Sequence, residues 1–88
     1  LDIAVSREAA EHKGYENPVG GCADILVVPN LEVGNVLYKS MVYFARAKSA
    51  GIVIGAKAPV IVTSRSDSDE TKLNSIALSV LVSDKFGM

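Results

Sequence analysis

Between two apolar runs of the chain lies the polar stretch Thr63-Ser64-Arg65-Ser66-Asp67-Ser68-Asp69-Glu70. The run Val60-Ile61-Val62 before it is typical of the end of a buried strand, and the apolar periodicity from Leu73 to Leu81 after it predicts a helix. Open α/β sheets bind ligands outside the carboxyl ends of their strands, where loops lead into helices. The polar stretch is therefore the candidate functional loop of this chain.

Two interpretations of this loop compete. An Arg beside a helix start is suited to hold a phosphate, and an adjacent carboxylate is suited to remove a proton. Ser and Asp before an apolar run are also ordinary helix caps. Composition alone favours capping, and the residues by themselves leave the catalytic interpretation open.

The composition limits the classes of function. The chain has 88 residues, of which 49% are hydrophobic and 22% charged, so it is a small domain or part of a larger one and is not disordered. This apolar fraction is high for so small a chain, and it predicts that apolar surface packs against something that the sequence does not include. The net charge of −1 and the absence of a basic stripe argue against nucleic acid as a partner. No apolar run approaches the roughly 20 residues of a membrane span, and the first residues lack the pattern of a signal peptide.

Metal binding is not expected from the residue types present. Cys22 is the single cysteine and His12 the single histidine, which is too few for a zinc site. A lone cysteine cannot form an internal disulfide, and this suits the reducing cytoplasm. We predict that Cys22 is a buried or loop thiol, that His12 is solvated, and that the protein is cytoplasmic.

The order of the predicted elements indicates an α/β fold. The elements are a helix over residues 2–13, a strand over 23–28, a helix from 34 to about 50, short strands over 51–55 and 59–63, and a helix from about 67 to 83. Only three residues separate the two short strands, whereas a parallel crossover needs a dozen, so they form a hairpin or one kinked strand. The apolar run at 25–28 suits a strand buried on both faces, and the sheet is therefore expected to be mostly parallel but mixed.

The central predicted helix is apolar over much of its circumference, which indicates a well-buried element. Tyr38 and Tyr43 within it are interpreted as packing residues with solvated hydroxyls. Arg7 and Arg46 lie in predicted helices without a matching motif, and we interpret both as surface residues.

Five blocks of the chain carry a resemblance to one protein family and follow each other in that family's order. They are Ala23-Asp24-Ile25-Leu26-Val27-Val28-Pro29-Asn30, Glu32-Val33-Gly34-Asn35-Val36-Leu37-Tyr38-Lys39, Gly51-Ile52-Val53-Ile54-Gly55-Ala56-Lys57-Ala58-Pro59, Thr63-Ser64-Arg65-Ser66-Asp67-Ser68 and Lys72-Leu73-Asn74-Ser75-Ile76-Ala77-Leu78. Together they resemble the phosphate acyltransferases, the family of phosphate acetyltransferase and phosphate butyryltransferase. The blocks cover nearly the whole chain, and the last two look closer to phosphate butyryltransferase.

This resemblance implies a two-domain α/β enzyme of about three hundred residues. Its fold would be a three-layer sandwich with a mostly parallel, mixed sheet, like that of the isocitrate and isopropylmalate dehydrogenases. Residues 1–88 would be the C-terminal part of the acyltransferase domain, and residues 64–88 the segment that returns to the other lobe. By itself this part is expected to be inactive.

The implied reaction converts acyl-CoA and orthophosphate into acyl phosphate and CoA, with CoA as a substrate rather than a cofactor and with no metal. The resemblance assigns Ser64 and Arg65 to catalysis, the Arg to phosphate and transition-state charge and the Ser to the thioester or thiol. An acidic residue after the pair would be the base; we favour Asp67, with Asp69 and Glu70 as alternatives. Homo-oligomers are implied as well, and the acyl length stays open.

Asn35 and Lys39 match the block after the buried strand and are expected near the cleft as substrate-binding residues. For Asn35, capping of the helix is at least as good an interpretation.

Two other classes of function compete with the enzyme. One is a non-catalytic module that binds CoA or a nucleotide through the loop at Ser64 and Arg65, because helix N-termini favour anions. The three carboxylates nearby argue against it. The other is a purely structural α/β module in which the loop is only a cap.

Overall fold

The computed structural model describes residues 1–87, and the chain divides into two compact units, Leu1–Asn35 and Val36 onward. Four helices are present in this part of the chain: α1 at Asp2–Val5, α2 at Arg7–His12, α3 at Leu31–Tyr43 and α4 at Asp69–Phe86. None of the helices within residues 1–87 has both the length and the apolar character that crossing a bilayer requires.

The single helix predicted over residues 2–13 is wrong, because Ser6 divides it into α1 and α2. Ser6 has extended backbone angles (φ −126°, ψ 114°), and its hydroxyl accepts the Ala9 N–H at 3.1 Å. A serine that caps the next turn competes with continuation of the helix through its own position. The only apolar side chain among residues 1–87 that is fully buried, Ala10, lies in the capped helix α2 with 1% of its surface exposed.

Gly21 lets the chain pass close to the N-terminal helices. Its φ is +80°, its N–H donates to the Ile3 carbonyl at 2.8 Å, and a Cβ at this position would lie 2.6 Å from the Arg7 backbone. Only glycine fits this approach. The next residue, Cys22, is exposed in the loop, with its Sγ 3.4 Å from an Arg7 guanidinium nitrogen.

Helix α3 begins three residues earlier and ends seven residues earlier than the pattern predicts. Asn30 starts it, since its side-chain oxygen accepts the Val33 N–H at 2.9 Å, so the capping role expected of Asn35 is wrong. Arg46 follows the end of the helix and has a φ of 54°, in the left-handed region, so its predicted place in a helix is wrong. No α3 residue is buried, so the expectation of a well-buried helix is also wrong for the described residues.

The mostly parallel sheet predicted for this chain is absent from residues 1–87. The two short extended segments meet only at Val53 and Val60, which exchange antiparallel N–H···O bonds of 2.7 and 3.1 Å, as a hairpin requires. The segment at residues 23–28 pairs with no strand of this part of the chain, and Val27 in it is 91% exposed. A parallel strand forms only with neighbours that pair with its backbone and cover its faces, and these residues supply none.

The predicted C-terminal helix is confirmed as α4, shifted by two to three residues. The Ser68 hydroxyl accepts the Thr71 N–H at 3.1 Å, which confirms capping at this end. Gly87 ends the helix in the left-handed conformation with φ 67°. The buried positions of α4 are Ser75 and Ser79, whereas its predicted apolar stripe is exposed at Leu73, Ile76, Ala77, Val80 and Leu81.

Removal of the α4 cap is expected to loosen its first turn. Ser68→Ala leaves the Thr71 N–H without its acceptor at a cost of about 1 kcal/mol, so hydrogen exchange at this amide should rise about fivefold. Ser68→Asp keeps an acceptor and serves as the control. Equal exchange rates at Thr71 in all three proteins would contradict the capping role.

The exposed apolar surface predicts that residues 1–88 alone self-associate. Apolar side chains exposed on α4 include Leu73, Ile76 and Leu81, and contiguous exposed apolar patches promote association. Sedimentation velocity at increasing concentration should show a rising mean mass. A single monomeric species at the highest concentration would show that this surface is tolerated in water.

Candidate functional site

The candidate loop forms a closed turn between Ser64 and Asp67. An Asp67 carboxylate oxygen (Oδ2) accepts the Ser64 N–H at 2.8 Å, and the Asp67 N–H donates to the Ser64 carbonyl at 3.1 Å. The two residues therefore fix each other through reciprocal bonds. Of the three candidate bases, Asp67 is the one that holds the loop carrying the Ser-Arg pair.

The Ser64 hydroxyl lies inside the same turn. Its Oγ is 3.0 Å from the Ser66 Oγ and accepts the Ser66 N–H at 3.3 Å. Because a hydroxyl accepts and donates at once, Ser64 is still able to direct its own proton outward.

Arg65 occupies the exposed crest of this turn. Within residues 1–87 its guanidinium makes no ion pair and no hydrogen bond. A planar, permanently charged donor set in solvent is available for an anion, for which bidentate recognition is characteristic of Arg. Ser64, Arg65 and Asp67 are thus brought together in four consecutive residues.

Two tyrosines of α3 reach this loop, and sequence reasoning missed both. The Tyr38 hydroxyl donates to the second Asp67 carboxylate oxygen (Oδ1) at 3.4 Å, and the Tyr43 hydroxyl donates to the Ser66 carbonyl at 3.3 Å. Tyr43 is 57% exposed, in line with the predicted solvated hydroxyl, whereas the part-buried Tyr38 hydroxyl is bonded within the protein and is not merely solvated. The available signal was weak: a tyrosine in an otherwise apolar helix tends to find a partner for its O–H.

Tyr38 is also connected to α4 through other hydroxyls. Its oxygen lies 3.3 Å from the Ser49 Oγ, which lies 3.5 Å from the Thr71 Oγ1. Nearby, the buried Ser75 hydroxyl accepts the Gly51 N–H at 3.0 Å and donates to the Thr71 carbonyl at 2.8 Å. These bonds hold the segment from Ser49 to Gly51 against the first half of α4.

The structure does not place the two expected substrate-binding residues of α3 in this cluster. Asn35 belongs to the first unit of the chain and Lys39 to the second, and both are exposed. Neither side chain makes a hydrogen bond or an ion pair with the described residues. Their binding roles stay predictions.

The other two carboxylates lie in the first turn of α4. Glu70 is 3.6 Å from the Lys48 ammonium, an exposed ion pair of small energetic value. Asp69 has no bond with the Ser-Arg loop in residues 1–87. Both stay alternatives to Asp67.

Two further features lie away from this loop. A hydrogen bond from Lys13, and a second from the Ile3 N–H, lower the pKa of the exposed Asp2 carboxyl. An open groove of about 700 Å³ lies along the C-terminal half of α4, lined by Pro59, Ser79, Val80, Ser83, Asp84 and Gly87. No group of three or more His, Cys, Asp or Glu side chains in residues 1–87 is arranged to hold a metal ion.

Most of the chain is matched by one protein family. Residues 1–80 match the family model for phosphate acetyl/butaryl transferase. The chain belongs to this family. The resemblance carried by the five sequence blocks is confirmed, and the match includes the whole Ser64–Asp67 turn.

Family members of different acyl preference are similarly close to the chain. It is 57% identical over 82 residues to phosphate butyryltransferase of Clostridium acetobutylicum, covering 93% of the chain and 27% of that protein. It is 56% identical over 81 residues to phosphate acetyltransferase of Thermotoga maritima, covering 92% and 28%. These near-equal identities do not distinguish between butyryl and acetyl as the acyl group.

A solved structure in the family has the same fold over this segment. The crystal structure of a branched-chain phosphotransacylase from Enterococcus faecalis V583 superposes with a TM-score of 0.79 at 52% identity, covering 91% of the chain and 29% of that protein. The chain thus spans under a third of the length of these relatives.

Proposed function

We propose that the protein containing residues 1–88 is a phosphate acyltransferase of the phosphate butyryltransferase type. It transfers an acyl group between CoA and orthophosphate, so that acyl-CoA and phosphate give acyl phosphate and CoA. The observation that carries this proposal is the closed Ser64–Asp67 turn, which holds Ser64 and Asp67 on either side of the exposed Arg65 along the chain. Family membership supports the same reaction.

Arg65 is proposed to hold the orthophosphate. Two guanidinium N–H groups bind two phosphate oxygens and leave a third oxygen free to attack the thioester carbonyl. Orthophosphate is a weak nucleophile in water, and binding in a fixed orientation lowers the entropic cost of the attack. The exposure of Arg65 and its lack of partners among residues 1–87 leave its donors free for this role.

Ser64 is proposed to act at the acyl group. The thioester carbonyl oxygen gains negative charge as the tetrahedral intermediate forms, and a fixed donor stabilises that charge. The Ser64 hydroxyl accepts the Ser66 N–H and is therefore oriented within the turn.

Asp67 is proposed to be the base in the direction that consumes CoA. A carboxylate accepts the thiol proton as the sulfur attacks acyl phosphate, and phosphate leaves. Each Asp67 oxygen uses one lone pair inside the protein, one for the Ser64 N–H and one for the Tyr38 hydroxyl, and one lone pair on each stays available. Asp69 and Glu70 share no such bond with the loop.

The remaining features of the proposal concern the whole protein. Its substrates are acyl-CoA and orthophosphate, CoA is consumed as a substrate, and the proposed chemistry needs no prosthetic group. We also propose the three-layer α/β fold, a homo-oligomeric assembly and a cytoplasmic location for it. Asn35 and Lys39 are proposed to contact substrate, and residues 1–88 alone to be inactive.

The proposal is tested by thiol release from butyryl-CoA by the full-length protein, with and without orthophosphate. Release that depends on phosphate is the expected result, and acetyl-CoA in the same assay ranks the acyl length. No release from either thioester, together with tight CoA binding, would replace the enzyme with a CoA-binding module.

Arg65 is expected to be indispensable for this turnover. Arg65→Ala removes the bidentate phosphate donors and should lower kcat/KM for phosphate by about 100-fold or more. Arg65→Lys keeps the charge but not the planar pair of donors and should be intermediate. Arg7→Ala, an exposed arginine of α2, is the control. Rates near wild type in Arg65→Ala would remove this residue from the mechanism.

A further inference from the structure

We infer that Tyr38 is a positioning residue that orients the Asp67 carboxylate for proton removal from the CoA thiol. The inference rests on the proposed function and adds to it a residue outside the Ser-Arg loop. Tyr38 lies in α3, 29 residues from Asp67 in sequence, and its hydroxyl reaches the Oδ1 atom.

The two bonds to Asp67 act on different carboxylate oxygens. The Ser64 N–H binds Oδ2 at 2.8 Å, and the Tyr38 hydroxyl binds Oδ1 at 3.4 Å. A carboxylate held by a single bond rotates about its terminal torsion, which is broad and roughly two-fold. A second donor on the other oxygen fixes the plane of the group and the direction of its free lone pairs. A base must be held in this way to meet a proton at hydrogen-bond distance.

The hydroxyl of Tyr38 belongs to a chain of hydroxyls that has one consistent direction. Asp67 accepts from Tyr38, so the Tyr38 oxygen must accept from Ser49. Ser49 in turn accepts from Thr71, whose oxygen accepts from Ser68 at 3.0 Å. Every proton in this chain therefore points toward the Asp67 carboxylate.

The chain of hydroxyl bonds connects Asp67 to the N-terminal end of α4. Ser68 caps α4 by accepting the Thr71 N–H, and its own proton starts the hydroxyl chain. Hydrogen bonds arranged in one direction polarise each other and strengthen the last bond of the chain. The position of Asp67 is thereby set by α3 and α4 as well as by its own turn.

Tyr43 provides a comparison within the same loop. Its hydroxyl donates to the Ser66 carbonyl at 3.3 Å and makes no bond to Asp67. Loss of this bond loosens the loop without freeing the carboxylate oxygen that Tyr38 holds. Tyr15, in the first unit, makes no hydroxyl bond with residues 1–87 and gives a control with the same chemical change.

The test measures the full-length protein in the direction that consumes CoA, with butyryl phosphate as the second substrate. Tyr38→Phe should lower kcat about tenfold, because the last bond goes to a charged group, while KM for CoA changes less than twofold. Tyr15→Phe should leave both constants unchanged. A smaller fall of kcat is expected for Ser49→Ala, which removes the donor to Tyr38 and keeps the ring.

A double-mutant cycle with Asp67→Asn separates positioning from general stability. If Tyr38 acts through Asp67, then Tyr38→Phe has no further effect on kcat in the Asp67→Asn background. The same non-additivity is expected between Ser49→Ala and Tyr38→Phe, and this second cycle decides the matter if Asp67→Asn is too slow to measure. Additive losses in the measured cycle would overturn the inference.

Failure of the inference is distinguishable from failure of the proposed function. An active wild type with equal kcat in Tyr38→Phe and Tyr15→Phe would remove Tyr38 from the reaction and leave the acyltransferase proposal intact. A wild type that forms no thioester from CoA with either butyryl phosphate or acetyl phosphate would end both. Thermal unfolding of Tyr38→Phe is expected slightly below that of Tyr15→Phe, because only Tyr38 loses hydroxyl bonds within residues 1–87, so kcat is compared at a temperature where both variants are folded.

Discussion

The Ser75 hydroxyl is the contact on which the second unit of the chain depends. It is 3% exposed, donates to the Thr71 carbonyl and accepts the Gly51 N–H, so both its proton and a lone pair are used in a buried position. The extended segment before Gly51 is therefore held beside α4, with Ser49 within reach of Thr71. From Ser49 the hydroxyl bonds continue to Tyr38 and then to the base candidate. The Ser75 hydroxyl thus anchors the segment that carries Ser49, and Ser49 contacts Tyr38 next to the proposed base.

Helix α4 buries polar side chains and exposes apolar ones. Ser75 and Ser79 are its buried residues, whereas Leu73, Ile76 and Leu81 are exposed. Serine is small enough to let the neighbouring segment approach the helix, and its hydroxyl satisfies the polar groups that this approach buries. The apolar stripe faces solvent because residues 1–87 contain nothing that covers it. The composition already shows a high apolar fraction for a chain of this length, and the structure shows which of the apolar side chains are exposed.

The local features of the fold and site were predictable because short-range chemistry determines them. Capping by a serine or aspartate at the start of α4, the helix after it and the proximity of Ser64 to Asp67 all follow from spacings of four residues or fewer. The predicted sheet did not form in the described residues, because strands such as the one at 23–28 need pairing partners that this part of the chain lacks. The bond from Tyr38 to Asp67 depends on how α3 is oriented across 29 residues, and no local pattern reports that orientation.

Arg46 lies in the exposed connection that follows α3. It is the non-glycine residue with positive φ among residues 1–87, and it lies between Tyr38 and Ser49, whose hydroxyl oxygens are 3.3 Å apart. Exposed connections usually accept insertions and deletions, since few contacts constrain their length. Here the eleven-residue separation of the two hydroxyls is itself constrained, because both belong to one directed chain of bonds. Among natural variants of this protein, changes of length between residues 44 and 48 should therefore be rarer than changes of residue type.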